Sequence, residues 1–444
     1  MQALPKVLQS HTVVHAPKLK NITNLNNLWA RVATSVSTRL NYQHNSQTDQ
    51  GHIMPLDQLD TELFSASYAV GRHRWLHQLS QLSYPVHYLP YQCLGEGPDG
   101  ETLITDTAWI GAEDACNLLV IISGTHGIEG FAGNAIELDW LRLLTSGEVS
   151  LPKKTALLMI HALTPWGYAW YRRCDCDGVD LNRNVVDFSK PLPVNAGYDA
   201  LRASLFMLDA QQRWQAFTDY QQQLGREAFE SAISAGQYTD PSGPFFGGLA
   251  PAHGRRVIDD LLQRYDLKNK NMAVIDLHTG LGQFGYGEII CDHKPDSAAT
   301  ALAQCWYGAS VMLPLLGTSS SVPKTGLIDY AWHSIMNERS CYITLEFGTF
   351  PTRELFEVLL HDHWLWAQAD NDEARIAHRK LMHHHFCPDD QGWKEMVLFR
   401  ARQVMRQGLR GVSLSDCEQR QSTNTLVSIQ PPFFEKEHPK GIKA

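Results

Sequence analysis

The segment that decides the fold of this chain is Leu119-Val-Ile-Ile-Ser-Gly-Thr-His-Gly-Ile-Glu-Gly130. Its first part is apolar and rich in β-branched residues, which is typical of a buried strand. The apolar periodicity of residues 131–144 predicts a helix directly after the glycines. His126 and Glu129 therefore lie on a strand-to-helix loop. An imidazole and a carboxylate held on such a loop are two of the three protein ligands that a catalytic zinc needs.

The composition favours a large globular protein and argues against several classes of partner. The 444 residues are 43% hydrophobic, which is enough for a large core. The net charge of -9 and the absence of a dense basic block argue against nucleic acid or a membrane surface as a partner. No stretch approaches 18 uninterrupted apolar residues, so no transmembrane helix is expected. Nine scattered cysteines without a CxxC pair indicate reduced thiols and predict a cytoplasmic location.

The sequence predicts one catalytic domain between two polar extensions. Residues 1–57 are expected to form an N-terminal extension, residues 58–410 the domain, and residues 411–444 a polar C-terminal tail. Residues 1–48 contain no Asp or Glu, a composition also found in transit peptides. A plain polar extension is favoured, because the stretch lacks a clear amphipathic period. Within the domain, residues from about 199 to 235 are polar with helical periodicity and predict a helical insertion.

Strands and helices alternate along the predicted domain. Strands are predicted at residues 84–91, 103–110, 117–123, 156–160, 272–277 and 341–345, and helices at 131–144, 254–265, 352–369 and 391–407. This alternation predicts an α/β sheet with helices on both faces. In open α/β sheets the ligand crevice lies outside the carboxyl ends of the strands. Polar residues that follow predicted strands are therefore candidates for the functional site.

Four motifs carry a resemblance to a known family: His126-x-x-Glu129, Asp180-Leu-Asn-Arg-Asn184, Asp276-Leu-His-Thr-Gly280 and Leu345-Glu-Phe-Gly-Thr349. From about residue 60 to about residue 405, the chain resembles the zinc carboxypeptidase (metallocarboxypeptidase) family, and most of all an uncharacterised bacterial metallopeptidase-like branch. It is also similar to the aspartoacylase and succinylglutamate desuccinylase group. The resemblance implies a carboxypeptidase-like (phosphorylase/hydrolase-like) three-layer fold, with a mixed, mostly parallel central sheet flanked by helices.

The resemblance also implies a metal centre with a catalytic base. His126, Glu129 and His278 would bind one zinc ion per chain. Glu346 matches the general base, which would take a proton from zinc-activated water and deliver it to the leaving amine. The alternative for Glu346 is a structural salt bridge, because a carboxylate at the end of an apolar strand is costly to bury without a partner. Asp276 is either an acceptor for the second ring nitrogen of a ligating imidazole or a cap of its loop.

The family pattern assigns substrate contacts to the second motif. Asn182 and Arg183 match the pair that binds the substrate's carboxylate, for which a guanidinium offers a planar bidentate fork. Asp180 either orients Arg183 or caps a turn. Arg173, ten residues before Arg183, matches an arginine that stabilises the tetrahedral oxyanion. Its neighbour Arg172 is interpreted as a solvated or ion-paired loop residue.

The mobile tyrosine of carboxypeptidases has no clear match in this chain. Tyr330 is the best candidate for this substrate contact, although its offset to Glu346 is shorter than in the family. Tyr286, in a glycine-rich segment, is the alternative.

The implied function is that of a zinc-dependent hydrolase, a metallopeptidase that cleaves an amide bond next to a free carboxylate. The first alternative is an N-acyl amino acid deacylase of the aspartoacylase/succinylglutamate desuccinylase type, since both classes bind a carboxylate. The second alternative is a non-catalytic binding protein that keeps the fold. Such a protein would typically lose a ligand or the base, and none is missing here. The substrate is accordingly a peptide or an N-acyl amino acid, and no motif sets the oligomeric state.

Overall fold

The structure is a computed structural model that describes residues 59–368 and 371–414. The predicted N-terminal extension, residues 1–57, lies outside the described residues, as do residues 415–444 of the predicted C-terminal tail. The last helix of the described part ends at Ser413 and so continues past residue 410.

A mixed eight-stranded sheet forms the centre of the described part. Its strands, in chain order, are β1 (Val86–Glu96), β2 (Thr102–Ile110), β3 (Asn117–Ile122), β4 (Thr155–His161), β5 (Asn271–Gly280), β6 (Gly287–Ile290), β7 (Val311–Met312) and β8 (Cys341–Gly348). They lie in the order β1-β2-β4-β3-β5-β8-β6-β7. The central strands β4, β3, β5 and β8 are parallel, whereas β2 and β6 run antiparallel to their central neighbours. The predicted mixed, mostly parallel sheet is confirmed.

Helices cover both faces of this sheet, as the alternating sequence pattern predicts. In chain order, the α-helices of the described residues are α1 (Tyr68–Ser80), α2 (Gly130–Ser146), α3 (Pro165–Trp170), α4 (Ala196–Leu205), α5 (Ala210–Leu224), α6 (Arg226–Ser234), α7 (His253–Arg264), α8 (Ala298–Tyr307), α9 (Asp329–His333), α10 (Thr352–Ala367), α11 (Asp372–Phe386) and α12 (Gln391–Ser413). Helices α2, α8 and α12 pack on one face, and α7 and α9 on the other. None of these helices combines the length and apolar character needed to cross a bilayer.

The central strands bury both of their faces, because alternate side chains of a strand point to opposite sides of the sheet. Ile121 of β3 joins the apolar cluster on the side of α2 and α12, and its neighbour Ile122 joins the cluster on the side of α7. In β5, Leu277 belongs to the first cluster, which places Asp276 and His278 on the α7 side. Asp276 and His278, the polar residues near the end of β5, thus both lie on the side of the sheet that α7 covers.

The strand register brings the motif segments to one edge of the sheet. Ile122, the last residue of β3, pairs with Asp276 of β5, and His278 pairs with Glu346 of β8. The loop that follows β3 therefore starts level with Asp276 and continues toward His278 and Glu346. This is the carboxyl edge, where ligand crevices of α/β sheets lie.

The last two strands on one side of the sheet, β6 and β7, were not predicted from the sequence. Strand β6 has four residues and β7 has two, so neither is long enough to show an alternating pattern. Helices α4, α5 and α6 occupy the segment that was predicted as a helical insertion. They share an apolar cluster of their own, which includes Phe217 and Ile233, and Leu360 of α10 joins it.

A buried ion pair between α12 and α2 gives a stability prediction. Arg402 Nη2 lies 2.7 Å from Asp139 Oδ1, and each side chain is at most 4% exposed. The substitution Asp139→Ala would leave a buried guanidinium without this carboxylate, which typically costs about 3–5 kcal/mol. We expect a correspondingly lower free energy of unfolding, measured by urea denaturation followed by circular dichroism.

The matched control is Asp114→Ala. Asp114 forms an ion pair with Lys154 at 3.1 Å, but both side chains are largely exposed, so the unfolding midpoint should stay close to that of the wild type. Equal destabilisation by the two substitutions would contradict the prediction, because the buried ion pair between α12 and α2 would then contribute no more to the free energy of unfolding than an exposed ion pair.

Candidate metal and catalytic site

The loop between β3 and α2 presents His126 and Glu129 to the carboxyl edge of the sheet. His126 has extended backbone angles, and Gly127–Glu129 form a 3₁₀ turn that leads directly into α2. The Gly127 N–H donates to the Arg173 carbonyl at 3.0 Å. A Cβ at Gly127 would lie 2.2 Å from the Gly167 carbonyl carbon. Only glycine fits here, so the glycine of the first motif is required for the close approach of the two loops.

His126, Glu129 and His278 converge at this edge. Nδ1 of His126 lies 2.8 Å from Glu129 Oε1, and Nδ1 of His278 lies 3.0 Å from Glu129 Oε2. The two rings are 4.8 Å apart, and all three side chains are at most 3% exposed. Although burial favours the neutral acid, the neighbouring imidazoles hold the pKa of Glu129 below its usual range. The sequence thus correctly brought together three groups from two distant segments.

The second nitrogen of each ring faces a carboxylate. Nε2 of His278 lies 2.7 Å from Asp276 Oδ2, and Nε2 of His126 lies 3.2 Å from Asp180 Oδ1. Asp276 also accepts from the Tyr342 hydroxyl at 2.8 Å, which fixes its orientation. Metal-ligating imidazoles usually have such partners on the nitrogen that does not bind the metal. Two imidazole nitrogens and one carboxylate, supported in this way, fit a zinc ion.

Glu346 lies beside this triad. It pairs with His278 across β5 and β8, is 7% exposed, and its Oε1 accepts from the Leu281 N–H at 2.9 Å. Burial, reinforced by the negative charge of Glu129, raises the pKa of Glu346 to about 7. No ion pair with a basic side chain is formed by Glu346 within residues 59–368 and 371–414, which argues against the structural salt bridge. A carboxyl group of this kind can exchange a proton near neutral pH.

Arg173 contacts the triad, whereas Arg172 does not. Arg173 Nη2 lies 2.7 Å from His126 Nε2, and its Nε donates to Asp180 Oδ2 at 3.0 Å. Arg172 is buried in an ion pair with Asp362 at 2.8 Å. Asp180 caps its turn by accepting from the Asn182 N–H at 2.9 Å, and its ion pair is with Arg173 rather than Arg183. These contacts place Arg173, and not Arg172, beside the triad, and the role of Arg173 in stabilising an oxyanion stays a prediction.

The buried guanidinium of Arg183 is held by backbone carbonyl groups. Its Nε and Nη2 donate to the Ser234 carbonyl at 3.0 and 2.7 Å, and Nη1 donates to the Asn182 carbonyl at 2.5 Å. Within the described ranges, no carboxylate lies within ion-pair distance of Arg183. Burial of the guanidinium lowers its pKa to about 10. Asn182 and Arg183 line one common cavity, and Asn182 Oδ1 accepts from the Ile328 N–H at 2.9 Å. The pair is suited to a carboxylate supplied by a ligand.

Phe245 is a residue of this site that the sequence did not reveal. The guanidinium carbons of Arg173 and Arg183 each lie 5.4 Å from the centre of its ring, within cation–π range. Its φ of 58° is in the left-handed region, which a bulky residue rarely adopts and which often marks a functional site. The only sequence signal was the surrounding glycine-rich segment, Pro244–Gly248.

Phe245 and all of the predicted site residues except Tyr330 line one cavity of about 380 Å³. Tyr330 is 38% exposed, and its hydroxyl donates to the Lys324 carbonyl at 3.0 Å. Tyr286 is 43% exposed, and neither ring is among the residues that line the cavity. The structure therefore brings together seven of the eight predicted site residues and leaves Tyr330 at the surface next to the cavity wall. Its contact with substrate stays a prediction.

Further lining residues come from segments to which the sequence assigned no role. The insertion and α10 contribute apolar side chains, namely Trp214, Phe229, Ile233, Leu355 and Phe356, and the other end of the cavity contains Asp292, Lys324 and Asp329. These residues belong to no motif in the sequence. They line the cavity because of how their segments pack in the tertiary structure, which the sequence pattern did not predict.

The fold and the site together define an α/β protein with a candidate mononuclear metal centre at the carboxyl edge of its sheet. By sequence, the chain belongs to the family described as "Protein of unknown function (DUF2817)", whose model matches residues 64–400. No curated protein matches the chain.

Several solved structures are similar to this chain. Bovine thrombin-activatable fibrinolysis inhibitor, in complex with tick carboxypeptidase inhibitor, has 14% sequence identity and a TM-score of 0.39, over 73% of this chain and 98% of that chain. Succinylglutamate desuccinylase from Vibrio cholerae has 17% identity and a TM-score of 0.33, over 74% and 73%. Murein-tripeptide amidase from Escherichia coli O157 has 15% identity and a TM-score of 0.29, over 70% and 97%. Because these identities and TM-scores are low, the function of this chain rests on its own side chains.

The close approach at Gly127 gives a prediction about metal binding. Gly127→Ala forces the His126–Glu129 loop away from the backbone of α3 and should lower zinc affinity by roughly tenfold or more, as disturbed support of a metal site typically does. The measurement is zinc competition with a chromophoric chelator. Gly392→Ala is the control, because a Cβ there meets only Asp390 Oδ1, at 3.3 Å. Unchanged zinc affinity in the Gly127 variant would contradict the assignment of this loop to the metal.

Proposed function

We propose that this chain is a zinc-dependent hydrolase of metallocarboxypeptidase type, which cleaves an amide bond next to a free carboxylate. The observation that carries the proposal is the common cavity. His126, Glu129 and His278 converge at one point of its wall, and Glu346 lies beside them. Arg183 lies in the same cavity and has no acidic partner among the described residues. A cation binder, a base and a carboxylate receptor are the parts that this reaction needs.

Zinc held by His126, Glu129 and His278 would supply a positive charge that polarises the amide carbonyl and acidifies water. Glu346 would take a proton from the attacking water as its oxygen adds to the carbonyl carbon. The same carboxyl group would then give the proton to the nitrogen as the carbon–nitrogen bond breaks, so the products are a carboxylate and an amine. The elevated pKa of Glu346 supports both roles, because the group can accept and donate a proton near neutral pH.

The arginines would divide substrate binding and charge stabilisation between them. Arg183 and Asn182 would hold the substrate's free carboxylate, since the guanidinium has no internal counter-ion within the described residues. Arg173, next to the ligand set, would stabilise the negative charge that develops on the carbonyl oxygen. Phe245 would keep the two guanidiniums apart by offering its ring to both. Tyr330 remains a candidate for a further substrate contact.

An N-acyl amino acid deacylase is the second candidate function. It is favoured by one observation: side chains of the helical insertion, including Trp214 and Phe229, line the same cavity as His126, Glu129 and His278. A wall in this position restricts what lies on the acyl side of the cleaved bond, which suits a small acylated amino acid better than a long peptide. We place either activity in the cytoplasm, since the cysteines of the described part are all free.

The proposal predicts the behaviour of Glu346→Gln. This substitution keeps the shape of the side chain and removes its ability to take a proton, so turnover should fall by roughly 100-fold or more. Zinc content should stay at one ion per chain, because Glu346 is not a ligand. The measurements are metal analysis by mass spectrometry and hydrolysis of N-acylated amino acids and dipeptides.

Two results would count against the proposed hydrolase, and a third would count against the second candidate. Undiminished turnover in Glu346→Gln would remove Glu346 as the base. Undetectable zinc in carefully purified wild-type protein would instead favour a binding protein that keeps the fold. Release of C-terminal residues from longer peptides, at rates equal to those for acyl amino acids, would exclude a strict deacylase.

A further inference from the structure

The cavity continues from Glu346 along the face of the sheet. Tyr342, Thr344 and Glu346 lie on the same face of β8 because alternate residues of a strand point the same way, and all three line the cavity. Ile290 of β6 pairs with Thr344 and lines the cavity beside it. The segment 320–329 lines the same region. We call this end of the cavity the inner compartment.

Three charged side chains of the inner compartment play no part in the proposed chemistry. Asp292 follows β6, Lys324 lies in the segment 320–329, and Asp329 is the first residue of α9. They line the same cavity as Arg183. Charged groups are rarely buried without a partner, so their contacts indicate what the compartment can bind.

The ammonium group of Lys324 is hydrogen-bonded to residues of its own loop. Lys324 Nζ donates to the Val322 carbonyl at 2.8 Å and also to the Ser321 hydroxyl. Burial, together with the positive charge of Arg183, lowers the pKa of Lys324 to about 7. Lys324 is therefore only a weak attractor for an anion.

The two carboxyl groups, in contrast, have unused hydrogen-bonding capacity. Asp329 is 3% exposed, and its Oδ1 has no hydrogen-bond partner among the residues that the structure describes. Its Oδ2 lies 3.6 Å from His333 Nε2. Asp292 is half-buried and forms neither a hydrogen bond nor an ion pair within 4.0 Å with the described residues. Burial raises the pKa of both groups. Because the raised pKa favours the neutral carboxyl forms, the compartment offers oxygen acceptors, and a positively charged donor would favour their ionisation.

We infer that the inner compartment binds a cationic side chain, an ammonium or guanidinium group, of the residue whose free carboxylate is held by Arg183. The inference rests on the proposed function, because it assumes that Arg183 receives that carboxylate. An ammonium between Asp292 and Asp329 would supply hydrogen bonds that both carboxyl groups lack. Its positive charge would also stabilise the ionised forms of the two carboxyl groups, of which Asp292 is half-buried and Asp329 buried. The substrates are then peptides or N-acyl amino acids that end in a basic residue.

The first test measures binding without turnover. L-lysine and L-norleucine differ in the terminal ammonium group and present the same α-carboxylate. Titrated by calorimetry into zinc-loaded Glu346→Gln protein, L-lysine should bind at least about tenfold more tightly, which is the gain expected from a charge-assisted hydrogen bond in a buried site. Asp292→Asn and, separately, Asp329→Asn in the same background should reduce this preference. Asp296→Asn is the control, because Asp296 is an exposed acid of the same loop that does not line the cavity.

Equal affinity for the two amino acids, tighter binding of L-glutamate than of L-lysine, or no binding of L-lysine would each overturn the inference. The comparison of ligands needs no variant in the compartment, so an unstable aspartate variant does not affect it.

Hydrolysis by the wild-type chain separates this inference from the proposed function. N-benzoylglycyl-L-lysine and N-benzoylglycyl-L-norleucine present the two side chains on one scaffold. Faster cleavage of the lysine substrate, lost in Asp292→Asn, supports both proposals. Equal cleavage of both overturns the cationic compartment and leaves the hydrolase in place. Selective binding of L-lysine without cleavage of either substrate overturns the hydrolase and supports the compartment.

Discussion

The carboxylate of Glu129 is the group on which the arrangement of the site depends. It is 2% exposed, and both of its oxygens are engaged, Oε1 by His126 and Arg173 and Oε2 by His278 and the Thr279 N–H. A carboxylate is costly to bury without such partners. The partners come from three segments far apart in the chain, so this loop conformation is stable only once the central strands have paired. The candidate metal site and the sheet therefore depend on each other for their conformation.

The two arginines of the site are held in different ways, and the difference suits different tasks. Arg173 is bound to the carboxylates of Asp180 and Glu129, so its charge is largely balanced and it stays beside the ligand set. Arg183 is bound only to backbone carbonyls, which orient the guanidinium without neutralising it. The ring of Phe245 lies within cation–π distance of both guanidinium groups. Lys324 and Asp329 differ in a similar way. Lys324 donates to the Val322 carbonyl of its own loop, whereas Asp329 Oδ1 has no hydrogen-bond partner among the described residues.

The fold class and most of the site could be predicted from the sequence because both are encoded locally. Apolar runs such as 117–122 predict central strands, and polar residues directly after them must lie at the carboxyl edge. The strand register then places His278 beside Glu346, as the ends of parallel neighbours must meet. Short strands such as β6 and β7 could not be predicted, since two to four residues show no period. The path of the insertion over the cavity could not be predicted either, because helical periodicity does not say where a helix packs.

The sequence by itself determined the chemistry of this protein, namely the residue types at the strand ends and their order along the chain. Only the tertiary structure decided which of those groups are paired and which are left open. Asp180 contacts Arg173 and not Arg183, Asp276 supports His278, and Phe245 lies against two arginines more than sixty residues before it. The physical reason is that hydrogen bonds and ion pairs depend on distances of a few ångströms between remote segments. Those distances follow from strand register and loop path, which no local pattern of residues specifies.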